Sequence, residues 1–239
     1  MREILVQKRR LLLVLLSAAM VIAMTSFASA SGVTCRTGSG CLNGTDSFDW
    51  TTNYGPPFSS IPNNSTATSN GGNTAVVNFA GGANGERRDQ GNGWGGNFTN
   101  GDELLWTGGE NGPITFTFGN VVSGVGANIQ ADFFGAFTAL IQAFDANGNL
   151  IDSFSENGNS NGNGDGSAIF IGLADDPGIK SVEFSLTSCA LECGDFAINQ
   201  LDVTAGGGGG VPEPASLVLM GSGLFSLAGV ARKRLGKRS

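Results

Sequence analysis

Apolar residues occupy every second position in several short segments of the chain. Residues 114–118 alternate Ile and Phe with Thr, and residues 182–186 alternate Val, Phe and Leu with polar residues. Successive side chains of a β-strand point to opposite faces, so each segment predicts a strand with one buried face. Shorter apolar segments predict further strands at residues 75–79, 104–107, 125–130, 138–145, 150–155, 168–172 and 196–203.

Turn residues separate these segments. Asn147-Gly148 is a pair that tolerates two positive φ angles and predicts a tight hairpin turn. Pro177-Gly178 fits the two central positions of a type II turn. The chain holds 39 glycines, and no helical pattern is evident between its two ends. We therefore expect an all-β fold, a single jelly-roll-like β-sandwich.

The N-terminus has the three parts of a secretory signal. A basic stretch ends at Arg10, an apolar run covers residues 11–24, and small residues lead to Ala30. Fourteen apolar residues rise only about 21 Å as a helix, which is short for a membrane anchor. We predict a signal peptide at residues 1–30, removed after Ala30 on export.

The C-terminus predicts a linker and a membrane segment. Residues 206–210 are all glycine, a flexible tether that ends the body at residues 31–205. Residues 215–231 carry no charge and are followed by a basic end at residues 232–238. As a helix the uncharged stretch reaches about 25 Å, which allows a membrane span. The basic end is then expected in the cytoplasm and the body outside.

A Pro-Glu-Pro motif precedes this span, and with it the tail resembles the PEP-CTERM sorting signal of bacterial exopolysaccharide producers. The motif is Pro212, Glu213 and Pro214, and the resemblance covers residues 211–239. It implies cutting near the motif by an exosortase, a membrane cysteine protease. The protein would be anchored in the membrane before processing and lie at the cell surface or outside the cell afterwards. Such tails have also been labelled ice-binding-protein-like, a name that describes the tail alone.

The body resembles, less specifically, the β-sandwich domains found ahead of such tails. The likeness lies at residues 125–129, 143–151, 169–172 and 195–199. Where relatives often place an acidic residue in the closing strand, this chain has Asn199. This difference weakens the case for a site transferred from those relatives.

Charge excludes one class of partner. Residues 31–210 contain four basic and eighteen acidic residues, a net charge of −14. Their one basic cluster is the pair Arg87 and Arg88. A body this acidic is repelled by phosphate backbones, so we expect no nucleic-acid binding.

Four cysteines form two close pairs, Cys35 with Cys41 and Cys189 with Cys193. An oxidising compartment favours disulfides, and short loops close at the lowest entropic cost, so we favour the two local pairings. The other pairings remain open. The spacings and the compartment argue against a four-thiolate zinc site.

The sequence does not point to catalysis. It has no histidine, which removes Ser-His and Cys-His nucleophiles. The neighbouring carboxylates Asp102 and Glu103 would point to opposite faces of a strand, whereas glycoside hydrolysis needs two in one cleft. We therefore expect a protein that is not an enzyme and needs no cofactor, with calcium as the open alternative.

Two ligand hypotheses remain. Asp145, Asn147, Asn149 and Glu156 have the spacing of oxygen ligands in a calcium loop, although Leu150 stands where glycine is required. Asp165, in the Asn/Gly-rich stretch 157–166, offers one more carboxylate.

For sugar binding the aromatic candidates are Trp50, Tyr54, Trp94 and Trp106. Trp94 is the best of them, because its glycine-rich surroundings suggest that no core needs it, whereas Trp106 beside Leu104 and Leu105 is more easily explained by packing. Asn97 begins one of several Asn-x-Ser/Thr sequons that we attribute to chance in an Asn-rich chain; others begin at Asn43 and Asn64.

The sequence thus supports two functions. The first is an exported, exosortase-processed surface or matrix protein without catalysis, associated with exopolysaccharide. The alternative is a calcium- or carbohydrate-binding β-sandwich module. The expected partners are the exosortase, exopolysaccharide and, through the C-terminal helix, the membrane.

Overall fold

A computed structural model describes Leu42 and residues 44–206, apart from the side chains of residues 175–177. This part of the chain is mostly β-structure, as predicted, with one short helix, α1 (Trp50–Tyr54). The strands are β1 (Asp46–Phe48), β2 (Ser60–Ile61), β3 (Ser65–Thr68), β4 (Thr74–Phe79), β5 (Gly85–Gln90), β6 (Gly93–Trp94), β7 (Glu103–Trp106), β8 (Ile114–Ala131), β9 (Gly135–Phe144), β10 (Leu150–Ser160), β11 (Ile169–Ser188), β12 (Phe196–Ile198) and β13 (Leu201–Ala205).

Helix α1 is an addition to the strands that the sequence predicts. The Asp49 carboxylate accepts a hydrogen bond from the Thr52 amide at 2.6 Å and caps the first turn. Trp50 is fully buried, and its indole nitrogen donates to the Asn199 carbonyl at 2.8 Å. Five residues are too few for a helical period to show in the sequence, so the cap and this tertiary contact define the helix.

Two long strands replace four predicted short ones. The segments predicted at 114–118 and 125–130 are both parts of β8, and those at 168–172 and 182–186 are both parts of β11. The register between β8 and β11 shifts between Ala174 and Ile179, so β11 carries extra residues there. The predicted Pro177-Gly178 turn falls within this irregularity, where Gly178 has φ +111°.

Strands β8 and β11 join two parts of one sheet. The first half of β8 pairs with β4 and the second half of β11, and β3, β9 and β10 extend that part. The second half of β8 pairs with the first half of β11 and with β12 and β13. Strand β1 extends this second part beside β13, and β7, β5 and β2 extend it beside β12.

One apolar core lies between the two parts. Phe48 on β1 packs against Phe118 on β8 with ring centroids 6.1 Å apart, and Trp50 packs against Phe116 at 5.8 Å. Burying a side chain of this size contributes about 1.5–3 kcal/mol. The arrangement is β-sandwich-like, which fits the all-β prediction. The jelly-roll strand order stays a prediction.

The predicted hairpin joins β9 to β10, but its turn differs in type. Asp145 N donates to the Asn149 carbonyl at 2.9 Å, and Gly148 N donates to the Asp145 carbonyl at 3.1 Å. Gly148 has φ +80°, whereas Asn147 does not have a positive φ. The loop therefore has three residues with one left-handed glycine, and the prediction of two positive φ angles is wrong for Asn147.

Several predicted segments lie outside the described residues: the signal peptide, Cys35 and Cys41, the Pro-Glu-Pro motif and the span at residues 215–231. Within the part of the chain that is described, no helix is long and apolar enough to cross a membrane.

Candidate functional site

The predicted calcium loop is a hydrogen-bonded turn. Oδ1 of Asp145 accepts from the backbone amides of Asn147 at 2.8 Å and Asn149 at 2.9 Å, and Oδ2 accepts from the Asn149 side chain at 2.9 Å. These bonds, first of all the one from the Asn149 side chain, lower the pKa of Asp145 below its ordinary value. The carboxylate thus stabilises the turn, as its position in a hairpin suggests.

Asp165 lies at the opposite end of the β9–β10 hairpin. Its Oδ1 accepts from the Ser167 hydroxyl at 2.5 Å and the Ser167 amide at 3.1 Å, which lowers its pKa. Strand β10 separates it from Asp145 by eleven residues, or about 35 Å of extended chain. The structure therefore does not bring Asp145 and Asp165 together. Among the described residues, no three Asp, Glu, Cys or His side chains form a metal-binding group.

Trp94 is buried, with 6% of its surface exposed. It packs against Phe98 and Trp106, each with ring centroids 6.4 Å away. The expectation that no core needs Trp94 is therefore wrong. The loop that carries it folds back onto the sheet because the side chain of Gln130 accepts from Asn97 N at 2.6 Å, a long-range contact that spacing along the chain does not reveal.

Trp94 belongs to a second apolar cluster. The cluster consists of Trp94, Phe98, Leu104, Ala168 and Ala197, with Trp106 packed against it. On β7, Leu104 joins this cluster and Leu105 joins the main core, so apolar residues cover both faces of that strand.

Asn97 anchors the Asn/Gly-rich stretch at residues 157–166, which begins in the last residues of β10 and continues beyond it. The Asn97 side chain is 1% exposed and donates to the Ser167 hydroxyl at 2.7 Å and to the Asn159 carbonyl at 3.2 Å. Its amide nitrogen is thus used inside the fold, which agrees with a chance sequon. Asn64, in contrast, lies on the surface.

Cys189 and Cys193 form a disulfide with their Cα atoms 5.4 Å apart. The local pairing predicted for these two cysteines is confirmed. The short loop that they close lies between β11 and β12, directly before Asp195.

A cluster that the sequence did not single out lies around Arg88. We define the Arg88 site as Phe58, Arg88, Trp106, Asp132 and Asp195. The Arg88 guanidinium carbon is 4.6 Å from the centre of the Phe58 ring and 4.7 Å from that of Trp106. Arg88 also forms an ion pair with Glu86 at 2.8 Å. The cation is therefore held in place by two aromatic rings and one carboxylate.

Phe58 is unusual in backbone and in exposure. Its φ is +73°, and its side chain is 55% exposed. Phe58 N donates to the Arg87 carbonyl at 2.7 Å, which fixes this backbone beside β5. The left-handed region costs a residue with a side chain about 1–2 kcal/mol. An aromatic residue is thus kept at a position that would be less strained with glycine.

Two carboxylates complete the Arg88 site. Asp195 is buried and accepts from the Trp106 indole nitrogen at 2.6 Å, while Asp132 N donates to the Asp195 carbonyl at 3.0 Å. Burial is the main cause that raises the pKa of both carboxyls. The charge of Asp195 raises that of Asp132 further, and Arg88 partly offsets the effect.

The Arg88 site escaped sequence reasoning because its parts are distant along the chain and β5 has no apolar period. Residues 85–90 read Gly-Glu-Arg-Arg-Asp-Gln, in which no strand pattern is visible. The one available signal was the Arg87-Arg88 pair in a body that is otherwise acidic. Arg88 faces the aromatic rings, whereas Arg87 on the other face is buried.

The described residues thus form an all-β domain with an aromatic and acidic surface site. A family model described as the PEP-CTERM protein-sorting motif matches residues 210–234. The chain is therefore a PEP-CTERM domain-containing protein, and this motif implies export and processing by an exosortase, with a cell-surface or extracellular location. No curated protein matches the chain.

Proposed function

We propose that the protein is a noncatalytic component of the cell surface or extracellular matrix that associates with exopolysaccharide after its tail is processed. The signal peptide brings the chain across the inner membrane, and the C-terminal helix holds it there until the exosortase acts. The protein then functions through its β domain, which needs no cofactor.

The observation that carries this proposal is the sorting motif at residues 210–234 behind an acidic β domain. The net charge of −14 keeps residues 31–210 soluble outside the cell and away from nucleic acids. The disulfide between Cys189 and Cys193 suits an oxidising compartment. The absence of histidine from the sequence fits a role without acid–base catalysis.

A second candidate function is that of a carbohydrate-binding module. The Arg88 site supports this function better than Trp94 does. A partly exposed aromatic ring beside a few polar groups is the surface that sugar recognition requires. Calcium finds less support, because hydrogen bonds within the protein already occupy the Asp145 and Asp165 carboxylates.

The processing step is tested by the intact mass of the protein from cells with and without a functional exosortase. We expect a chain that begins at Ser31 and ends near Pro214 in the first strain. In the second strain we expect a chain that continues beyond Pro214. A chain that reaches Ser239 in both strains would contradict exosortase processing.

The association with exopolysaccharide needs a separate measurement. We expect the processed protein in the matrix fraction of producing cells and in the free medium of cells that lack exopolysaccharide. An equal distribution in the two strains would contradict the association and leave the processing result intact.

A further inference from the structure

We propose that the exposed face of Phe58 is a stacking platform for a neutral saccharide, with the carboxylate of Asp132 as an acceptor for sugar hydroxyls. This proposal rests on the proposed function, because it names the residue and the class of saccharide through which the β domain would engage a polysaccharide.

The first argument is that Phe58 is held where a phenylalanine is strained. Among the described residues, the non-glycine residues with positive φ are Phe58 and Asn64. Asparagine tolerates this region, and a bulky side chain does not. Strain of this kind persists where the surrounding structure imposes it, and it is found preferentially at functional sites.

The second argument is that the ring is fixed before any ligand arrives. The Arg88 guanidinium lies over the ring of Phe58 and also over the ring of Trp106. Gly93 makes this close approach possible, because a Cβ there would come within 2.9 Å of both Arg88 and Phe58. A rigid platform loses little conformational entropy on binding.

The third argument concerns what can stack on the open face. With Arg88 behind it and 55% of its surface exposed, Phe58 offers an apolar face at the surface. The hydrophobic C–H face of a pyranose fits such a ring, and its hydroxyl groups need polar partners at the rim. Asp132 supplies such a partner, since its amide donates to the carbonyl of Asp195, whose carboxylate accepts from the Trp106 indole.

Charge selects the class of saccharide. The surroundings of Arg88 contain the carboxylates of Glu86, Asp132 and Asp195, and Glu192 acts on Asp132 as well. One cation thus lies among four acidic side chains, in a body with a net charge of −14. An acidic polysaccharide would be repelled, so a neutral one fits best.

The decisive variant is Phe58→Gly, because it removes the ring and relieves the backbone. The test is electrophoresis of the full chain in native gels that contain dextran, galactomannan or mixed-linkage β-glucan as neutral probes, with alginate as the acidic probe. We expect retardation by at least one neutral polysaccharide and none by alginate. In Phe58→Gly the apparent affinity should fall at least tenfold, while Tm stays equal to the wild-type value or rises.

Two further variants keep the test sharp. Phe58→Trp retains a platform and should retain binding within about threefold, a difference of about 0.6 kcal/mol. Phe134→Ala removes another exposed aromatic ring, 60% exposed and without positive φ, and should bind as the wild type does. The proposal would be overturned by unchanged binding of Phe58→Gly, by binding to alginate alone, or by no binding to any neutral probe. A lower Tm in Phe58→Gly would also overturn it, because the ring would then have a structural role.

The failure of this inference can be told apart from the failure of the proposed function. If the wild type and Phe58→Gly both stay in the matrix of producing cells, the platform is refuted and matrix association stands. If the wild type is neither processed nor retained, the proposed function fails whatever Phe58 does.

Discussion

The two adjacent arginines of β5 lie in opposite environments. Arg87 points into the fold with 1% of its surface exposed, contacts Asp89 at 2.6 Å and Glu103 at 3.6 Å, and donates to the Thr51 hydroxyl at 2.6 Å. Arg88 points outward onto two aromatic rings. The alternation of a strand thus assigns one cation to stability, where it ties α1 to the sheet, and its neighbour to a surface site.

The largest effect is expected when the buried cation is removed. Arg87→Met leaves the carboxylates of Asp89 and Glu103 without their counterion and should lower the free energy of unfolding by about 3 kcal/mol. This is the lower end of the range for buried ion pairs, because water still reaches both carboxylates. Urea unfolding of the purified protein measures the loss.

Arg88→Met is the matched control, because it removes the same charge one residue further on. This variant should lower the free energy of unfolding by about 1 kcal/mol, which is the contribution of a partly exposed cation–π contact. Equal losses in the two variants would show that the two faces of β5 do not differ in the way described.

A smaller effect is expected from Asp195→Ala. The change leaves the Trp106 indole nitrogen without its acceptor and should lower the unfolding free energy by about 2 kcal/mol. Asp195→Asn keeps an oxygen in place and should retain most of the stability. Trp fluorescence during thermal unfolding follows both variants, and a loss in Asp195→Asn as large as in Asp195→Ala would indicate that the charge matters more than the hydrogen bond.

The stability contributed by Asp49, which interacts with Arg87, and by Asp132, which interacts with Arg88, should change with pH in opposite directions. Burial acts to raise the pKa of Asp49, but hydrogen bonds from the amide and hydroxyl of Thr52 and the charge of Arg87 outweigh it and lower the pKa. The ordinary pKa of this carboxyl, which applies in the unfolded chain, is 3.8. The stability that Asp49 contributes is therefore present above pH 3.8 and is lost as the pH falls through the lower pKa of the folded state. The pKa of Asp132 is raised, so its favourable contribution exists at lower pH and is lost as the pH rises through its folded value.

The measurement is Tm against pH, from below 3.8 to neutral, for Asp49→Asn and Asp132→Asn. At neutral pH we expect Asp49→Asn to be less stable than the wild type and Asp132→Asn to be more stable. Both differences should shrink towards acid pH. Differences of the same sign would contradict the electrostatic contrast between the two faces.

The smallest effect is expected away from both faces, at the β9–β10 hairpin. The Asp145 carboxylate accepts bonds from Asn147 and Asn149, so added calcium should leave Tm unchanged relative to a chelator. Asp145→Asn should likewise have the same Tm with calcium and with chelator. A clear rise in Tm with calcium that disappears in this variant would restore the calcium hypothesis.

Much of the fold could be predicted from local pattern. The segments of strict alternation at 114–118 and 182–186 are strands, and the close pair Cys189 and Cys193 is a disulfide. Strands without an apolar period, such as β5, could not be predicted, because their side chains serve ion pairs. The sequence also did not reveal that short predicted strands merge into β8 and β11. A bulge interrupts the local pattern of a strand, and only the pairing with a neighbouring strand shows that the strand continues.

Less of the candidate site was accessible. Oxygen-bearing residues at regular spacing suggested calcium at Asp145, and an Asn/Gly-rich stretch suggested it at Asp165. Such residues also make turns, and the structure uses both carboxylates in this way. A glycine-rich stretch suggested an open Trp94, but hydrogen bonds to Gln130 fold that stretch onto the sheet.

The sequence by itself determined that the chain carries a sorting motif, which implies export, and that its body is of the all-β class. Sorting motifs are read as short linear segments, and strand alternation is a local property, so both can be recognised without coordinates. Tertiary structure alone decided that Arg87 is buried, that Arg88 lies between Phe58 and Trp106, and that Asp132 and Asp195 share a site. These contacts join residues far apart in the chain, and the pairing of β5, β7, β8 and β12 sets them.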